Sequence, residues 1–106
     1  MAKYDEKKLP YREQDRLMSI FCDMLCGLRS RTVVRDFLKD LLNRKERIML
    51  IRRLQIAEML IDKYTYEEIV DKLKCGTPTI ARVARWLEFG RGGYKYAIHI
   101  KKKRTK

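Results

Sequence analysis

Histidine is almost missing from this 106-residue chain: His99 stands alone, near the C-terminus. Three cysteines, Cys22, Cys26 and Cys75, complete the soft metal ligands. A zinc site needs about four ligands at a recognised spacing, and these residues do not offer one, so no metal is expected. Cys22 and Cys26 lie one helical turn apart and read as core thiols rather than a bridge or redox pair. No apolar run approaches the roughly 18 residues of a membrane span, and no secretory leader opens the chain. The expectation is a soluble, cytoplasmic protein. Glycine is scarce and builds no phosphate loop; GRGG at 90–93 follows a helical pattern instead of preceding one and lacks the loop's Lys-Thr or Lys-Ser. Ser19 and Ser30 have no evident base, and Glu67 and Glu68 sit together at a helix start, where acidic residues suit the dipole. Nothing assembles an acid–base pair or an activated nucleophile, so the chain is not read as an enzyme.

Acidic residues are the other shortage, and an uneven one. The net charge is +12. Residues 1–43 carry nine basic and seven acidic side chains, and residues 44–74 carry eight and six. Residues 75–106 carry nine basic against the single acid Glu88. Charge biased this way is what a phosphate-binding face requires. A membrane surface would attract the same charge, but no amphipathic helix with an aromatic apolar face accompanies it.

Helical periodicity fills the rest. Pro10 opens a helix over about Tyr11 to Leu28, with Leu17, Ile20, Phe21, Met24, Leu25 and Leu28 along one stripe. Ser30 can cap a second, striped by Val33, Val34, Phe37, Leu38, Leu41 and Leu42. Such stripes suit an intramolecular core or a dimer seam equally. Asn43 and Glu46 form an N-x-x-E capping box ahead of a third helix that runs to about Asp62. Apolar residues nearly encircle that helix, which marks a central spine. Arg52 and Arg53 interrupt it, either as solvated stems or as phosphate or ligand contacts. Residues 1–9 read as a loose arm.

Thr65 to Leu87 is the stretch around which the rest is arranged. Thr65 and Glu68 make a second capping box, T-x-x-E, before the apolar face of Ile69, Val70 and Leu73. The pattern breaks at Lys74, Cys75 and Gly76. A new helix starts near Thr77 with Pro78 in its first turn, where a missing N–H costs nothing. Ile80, Val83, Ala84 and Leu87 form its buried side. This is the outline of a helix-turn-helix, at about 65–88, whose second helix lays its N-terminal residues against base edges in the major groove. Such units often carry glycine where this chain has Lys74, because that position needs a positive φ; Gly76 can share the role. Gly90 reads as a left-handed cap ending the helix. Tyr94, Tyr96, Ile98 and Ile100 then alternate with polar or small residues at a strand period, which predicts an extended segment leading into the basic KKKRTK end.

The run RRLQIAEML, the start TYEEI, the TIAR of the second helix and the exit FGRGGY together resemble the Trp-repressor superfamily, and more closely its YerC/YecD-type branch. The likeness is carried by Leu41 to Tyr94. It implies an all-α, intertwined homodimer binding operator DNA through paired helix-turn-helix units, as a repressor. In that family tryptophan binds between the spine helix and the recognition helix. Two arginines of the family's pattern persist here as Arg53 and Arg82. The threonine of the pattern reads Asn43, the glycine Val83 and the serine Trp86. Val83 would occupy the ring's space and Trp86 would fill the slot from within, so L-tryptophan is not expected as corepressor and no cofactor is assigned. Arg53 and Arg82 would be ligand residues only if a corepressor exists.

The sequence therefore predicts an all-α fold of about five helices with a C-terminal helix-turn-helix and a short extended basic tail. Residues 1–94 make one domain and 95–106 the tail. The expected function is sequence-specific binding of double-stranded DNA by a homodimeric transcriptional regulator. Thr77, Pro78, Thr79 and Arg82 would face the groove, and Arg85, Lys72 and Lys74 would hold phosphates. The alternative is a helix-turn-helix interaction module for RNA or a protein partner.

Overall fold

The computed structural model describes residues 6–104, and every regular element among them is helical. After one 3-10 turn at Glu6–Lys8 come α1 (Tyr11–Cys26), α2 (Arg31–Leu41), α3 (Arg44–Ile61), α4 (Tyr66–Leu73), α5 (Thr77–Phe89) and α6 (Gly93–Arg104). The first part of the expected arm, through Asp5, and the last two tail residues lie outside the described residues.

The chain forms two compact units, one through Leu41 and one from Leu42 onward. In the first, α1 is followed by α2. Pro10, at φ −58°, precedes α1, and Ser30 Oγ accepts from the Val33 N–H at 3.1 Å to start α2. The Phe21 and Phe37 rings meet at 6.3 Å between centroids, tilted by 35°. Yet neither helix contains a buried residue. Cys22 and Cys26, expected in a core, are exposed.

In the second unit α3 packs against α4, α5 and α6. The core consists of Ile56 and Ala57 of α3, Ile69 and Leu73 of α4, Ile80 and Val83 of α5, and Ile98 of α6. Burial of the branched side chains among these, all but Ala57, drives the packing, each contributing about 1.5–3 kcal/mol when removed from water. The Asn43–Glu46 box opens α3: Asn43 Oδ1 accepts from the Glu46 N–H at 2.9 Å, and Glu46 Oε1 accepts from the Asn43 N–H at 2.9 Å. At its other end Lys63 adopts φ 71°, letting the Tyr64 N–H donate to the Met59 carbonyl at 3.0 Å and the Lys63 N–H to Leu60 at 3.1 Å. That pair of bonds is a Schellman closure. The spine reading holds for the C-terminal half of α3 alone. Ile48, Met49, Leu50 and Ile51 of its N-terminal half remain exposed, as does Leu54 just beyond them.

Two local expectations are corrected. The segment after Gly93 is helical, not extended. An isolated strand would leave its backbone groups unpaired, whereas a helix pairs them internally. Winding also collects Tyr94, Ile98, Lys101 and Lys102 on one face, and that face meets α3: Ile98 is buried, Lys101 Nζ lies 2.6 Å from Glu58 Oε1, and Lys102 pairs with Asp62. Gly90 is not a left-handed cap. It is extended, at φ −83° and ψ −164°, and its N–H donates to the Trp86 carbonyl at 2.8 Å. A Cβ there would lie 2.4 Å from that carbonyl oxygen, so close approach, not chirality, requires glycine. The left-handed glycine is Gly92, at φ 82°.

Candidate nucleic-acid interface

The helix-turn-helix is held at its start by the second capping box. Thr65 Oγ1 accepts from the Glu68 N–H at 3.1 Å, and Glu68 Oε1 accepts from the Thr65 N–H at 2.8 Å. Donation from the Thr65 backbone to the Glu68 carboxylate, followed by the bond with its side chain, lowers the Glu68 pKa below the usual carboxylate range. Ile69 and Leu73 then anchor α4 in the core, with Val70 half-buried beside them.

At the turn, Lys74 itself is left-handed, at φ 55° and ψ 41°, and its N–H donates to the Val70 carbonyl at 2.8 Å. Gly76 is extended at φ −84° and ψ 151°, so it does not take over that conformation. It serves instead as N-cap of α5, where its carbonyl accepts from the Thr79 and Ile80 N–H groups at 3.2 and 3.4 Å. No side chain caps these first turns, and Pro78 stands within them.

With about 100° per residue, α5 divides cleanly. Ile80 and Val83 point into the core, and Ala84 and Leu87 are half-buried on the same side. Pro78, Arg82 and Arg85 gather on the opposite, exposed flank, with Thr77 at its N-terminal end. Thr79, Arg82 and Trp86 turn one edge of that flank toward α3. Lys72 and Lys74 lie on α4 and the turn and are also exposed. Neither is a bare cation: Lys72 Nζ sits 5.8 Å from the Tyr64 ring centroid, and Lys74 Nζ 3.7 Å from Asp71 Oδ1. The structure thus brings Thr77, Pro78, Thr79, Arg82 and Arg85 onto one helix surface. Lys72 and Lys74 stand apart from it in the chain, on α4 and the turn.

Between α3, α5 and the α5–α6 connection lies a cleft of about 800 Å³. Arg52, Arg53, Arg82 and Arg91 line it, as do Val83 and Trp86, and no carboxylate does. The expectation that Val83 and Trp86 close this slot is not met. Trp86 is 56% exposed on the wall, and the space beside it stays open. Asn43, the counterpart of the pattern's threonine, does not line the cleft; its side chain is committed to capping α3. Arg91 is a cleft residue that sequence reasoning missed, because GRGG was read only as a helix stop. The signal available was the Arg itself, held between a glycine that must approach Trp86 and one that must turn left-handed.

The sequence profile of the Trp repressor protein family matches residues 16–102. The chain belongs to the Trp repressor family. Within it, the chain sides with the YerC-type branch. It is 32% identical over 91 residues to the uncharacterised protein YerC of Bacillus subtilis (strain 168), covering 86% of this chain and 84% of YerC. A crystal structure of a candidate Trp repressor from Staphylococcus aureus superposes with a TM-score of 0.74 at 30% identity, covering 94% of this chain and 96% of that one. The Trp repressor family is one of helix-turn-helix transcription regulators and not of enzymes. No helix among the described residues is long and apolar enough to cross a membrane, and none of their His, Cys, Asp and Glu side chains cluster as a metal site.

The cleft sets four guanidiniums and no carboxylate around the space between α3 and α5. The arginines would take the carboxylate of L-tryptophan, but its ammonium would enter a space with four guanidiniums and no carboxylate. Val83 adds a side chain where the family's pattern has glycine.

Proposed function

We propose that this protein is a sequence-specific DNA-binding transcription regulator, a repressor by family, acting as a homodimer. One observation carries the reading. α5 is anchored through Ile80 and Val83, which leaves Thr77, Pro78, Thr79, Arg82 and Arg85 together and exposed, with no acidic side chain among them. Small residues come first, so the helix end can approach base edges closely; arginines follow one turn later, where a guanidinium can reach a guanine bidentately. Arg85, Lys72 and Lys74 are assigned to phosphates, which set affinity and salt dependence and carry no sequence information.

The dimer is supported by what the chain leaves bare. Leu17, Ile20 and Met24 of α1 and Ile48, Met49, Ile51 and Leu54 of α3 are each more than 40% exposed. Apolar faces of this extent on a small domain are interaction surfaces. A two-fold dimer would present two copies of α5 to successive major grooves.

Selection of bound duplexes from a random pool, at near-physiological salt with excess competitor, tests the reading. A palindromic consensus with half-sites one helical turn apart is expected. A folded, soluble protein that enriches nothing would transfer the surface to RNA or a protein partner.

A further inference from the structure

We propose that the groove between the C-terminal end of α3, the inner flank of α5 and α6 is a receptor for a free medium-chain monocarboxylate, an apolar body with a single anionic head. The inference stands whether or not α5 reads DNA. The groove has a volume of about 550 Å³, within the range of small-molecule sites. Its floor is apolar and drawn from three helices: Leu60 and Ile61 of α3, Ala84 and Leu87 of α5, and Ile98 of α6. Ile98 is buried and the other four are half-buried, so the floor keeps contact with solvent. None of its residues belongs to the faces assigned above to the dimer, and Ile61 stands about 15 Å along α3 from Ile51. Ala84 and Leu87 lie on the side of α5 opposite Arg82, so a duplex held by that flank leaves the groove open.

The rim selects the head group. Lys63, Lys95 and Lys102 border the floor, together with Glu88 and His99. Lys102 is paired with Asp62. Lys63 and Lys95 enter no ion pair among the described residues. Set against Glu88, these two leave the groove one positive charge in excess when His99 is neutral. One carboxylate balances that charge. A phosphate monoester, with nearly two charges, exceeds it, and an amine adds to it. Lys63 also holds a left-handed backbone, at φ 71°, which glycine would adopt at lower cost. What lysine brings to that position, and glycine cannot, is an ammonium at the edge of an apolar floor.

His99 is the chain's single histidine, so its imidazole resonances report on the groove by nuclear magnetic resonance. The full chain would be titrated at constant pH with octanoate, hexanoate, octanol and inorganic phosphate. A saturable shift is expected with octanoate. Each methylene lost toward hexanoate should weaken binding about two- to fourfold. Octanol and phosphate, each lacking half of the ligand, should both bind more weakly than octanoate. Lys63→Gly removes the ammonium and relieves the backbone, so it keeps the fold. It and Lys95→Gln should each weaken octanoate about two- to fivefold, and the double variant about tenfold. The proposal is overturned if octanoate gives no saturable shift, if octanol or phosphate binds as tightly, or if the double variant binds like wild type. Displacement of octanoate by a mixed-sequence duplex would overturn it by assigning the lysines to a nucleic-acid backbone. A changed mass of the double variant in light scattering would overturn it by assigning the groove to a second copy of the chain.

Discussion

Lys74 shows how a single residue can carry both a backbone cost and a binding role. Its left-handed φ of 55° costs an L-residue about 1–2 kcal/mol that glycine would not incur. Greater freedom of glycine in the unfolded chain offsets part of the gain. We expect Lys74→Gly to raise stability by up to about 1 kcal/mol in denaturant melts, and, as Lys74 is assigned to a phosphate, to weaken binding equally on all duplexes. Arg82→Ala should behave differently. If Arg82 reads a guanine, its loss removes about 1–3 kcal/mol of discrimination at one base position while other sequences are less affected. Binding to a panel of single-base operator variants separates the two. At Thr65 the capping box makes a third expectation. Thr65→Ala should cost about 1 kcal/mol. The Glu68 pKa is lowered by folding, so its contribution is complete above the usual carboxylate range and fades as pH falls through the lowered value. Thermal melts from neutral to acid pH should show the wild type losing its advantage over Glu68→Gln on the acid side.

At the scale of elements, α6 and α5 give opposite lessons. The register of α5 follows from its own residues: Ile80 and Val83 inward, Pro78, Arg82 and Arg85 outward. The conformation of α6 does not. Its two-residue alternation fits a strand, and helix wins because there is no strand to pair with and because α3 offers Glu58 and Asp62 to Lys101 and Lys102. Asp62 raises the Lys102 pKa by accepting a hydrogen bond from it, so the pair's contribution is complete at neutral pH and is lost only as pH rises through that elevated value. These are exposed pairs, and salt screens them. Replacing Lys101 and Lys102 together by Gln should lower the melting temperature at low ionic strength, with the difference shrinking as salt is added. An unchanged difference would locate the effect in side-chain packing.

For the whole molecule the decisive feature is incomplete burial. α1 and α2 bury none of their residues, and the apolar run Ile48, Met49, Leu50 and Ile51 in the N-terminal half of α3 is exposed. A second copy covering these faces would make folding depend on association, so the melting temperature should rise with protein concentration. Light scattering should give twice the mass of the 12.8 kDa chain at micromolar concentration. Introducing a charge at Ile51, which is 54% exposed here, should dissociate or unfold it. A concentration-independent melt of a monomer would remove the two-fold argument for the operator.

What the sequence determined by itself is local. The boxes Asn43–Glu46 and Thr65–Glu68 close over three residues, and the stripes of α3, α4 and α5 repeat every turn, so short-range rules suffice to place them. The exposed flank of α5 follows from the same periodicity. Tertiary structure decided what depends on contacts distant in sequence. It made α6 a helix by giving Ile98 a core to enter, and it opened the cleft that was expected to be closed. It also brought Arg91 to the same space as Arg52 and Arg53, about 40 residues earlier in the chain. Spacing along the chain carries no record of that meeting, because packing α5 and α6 against α3 creates it.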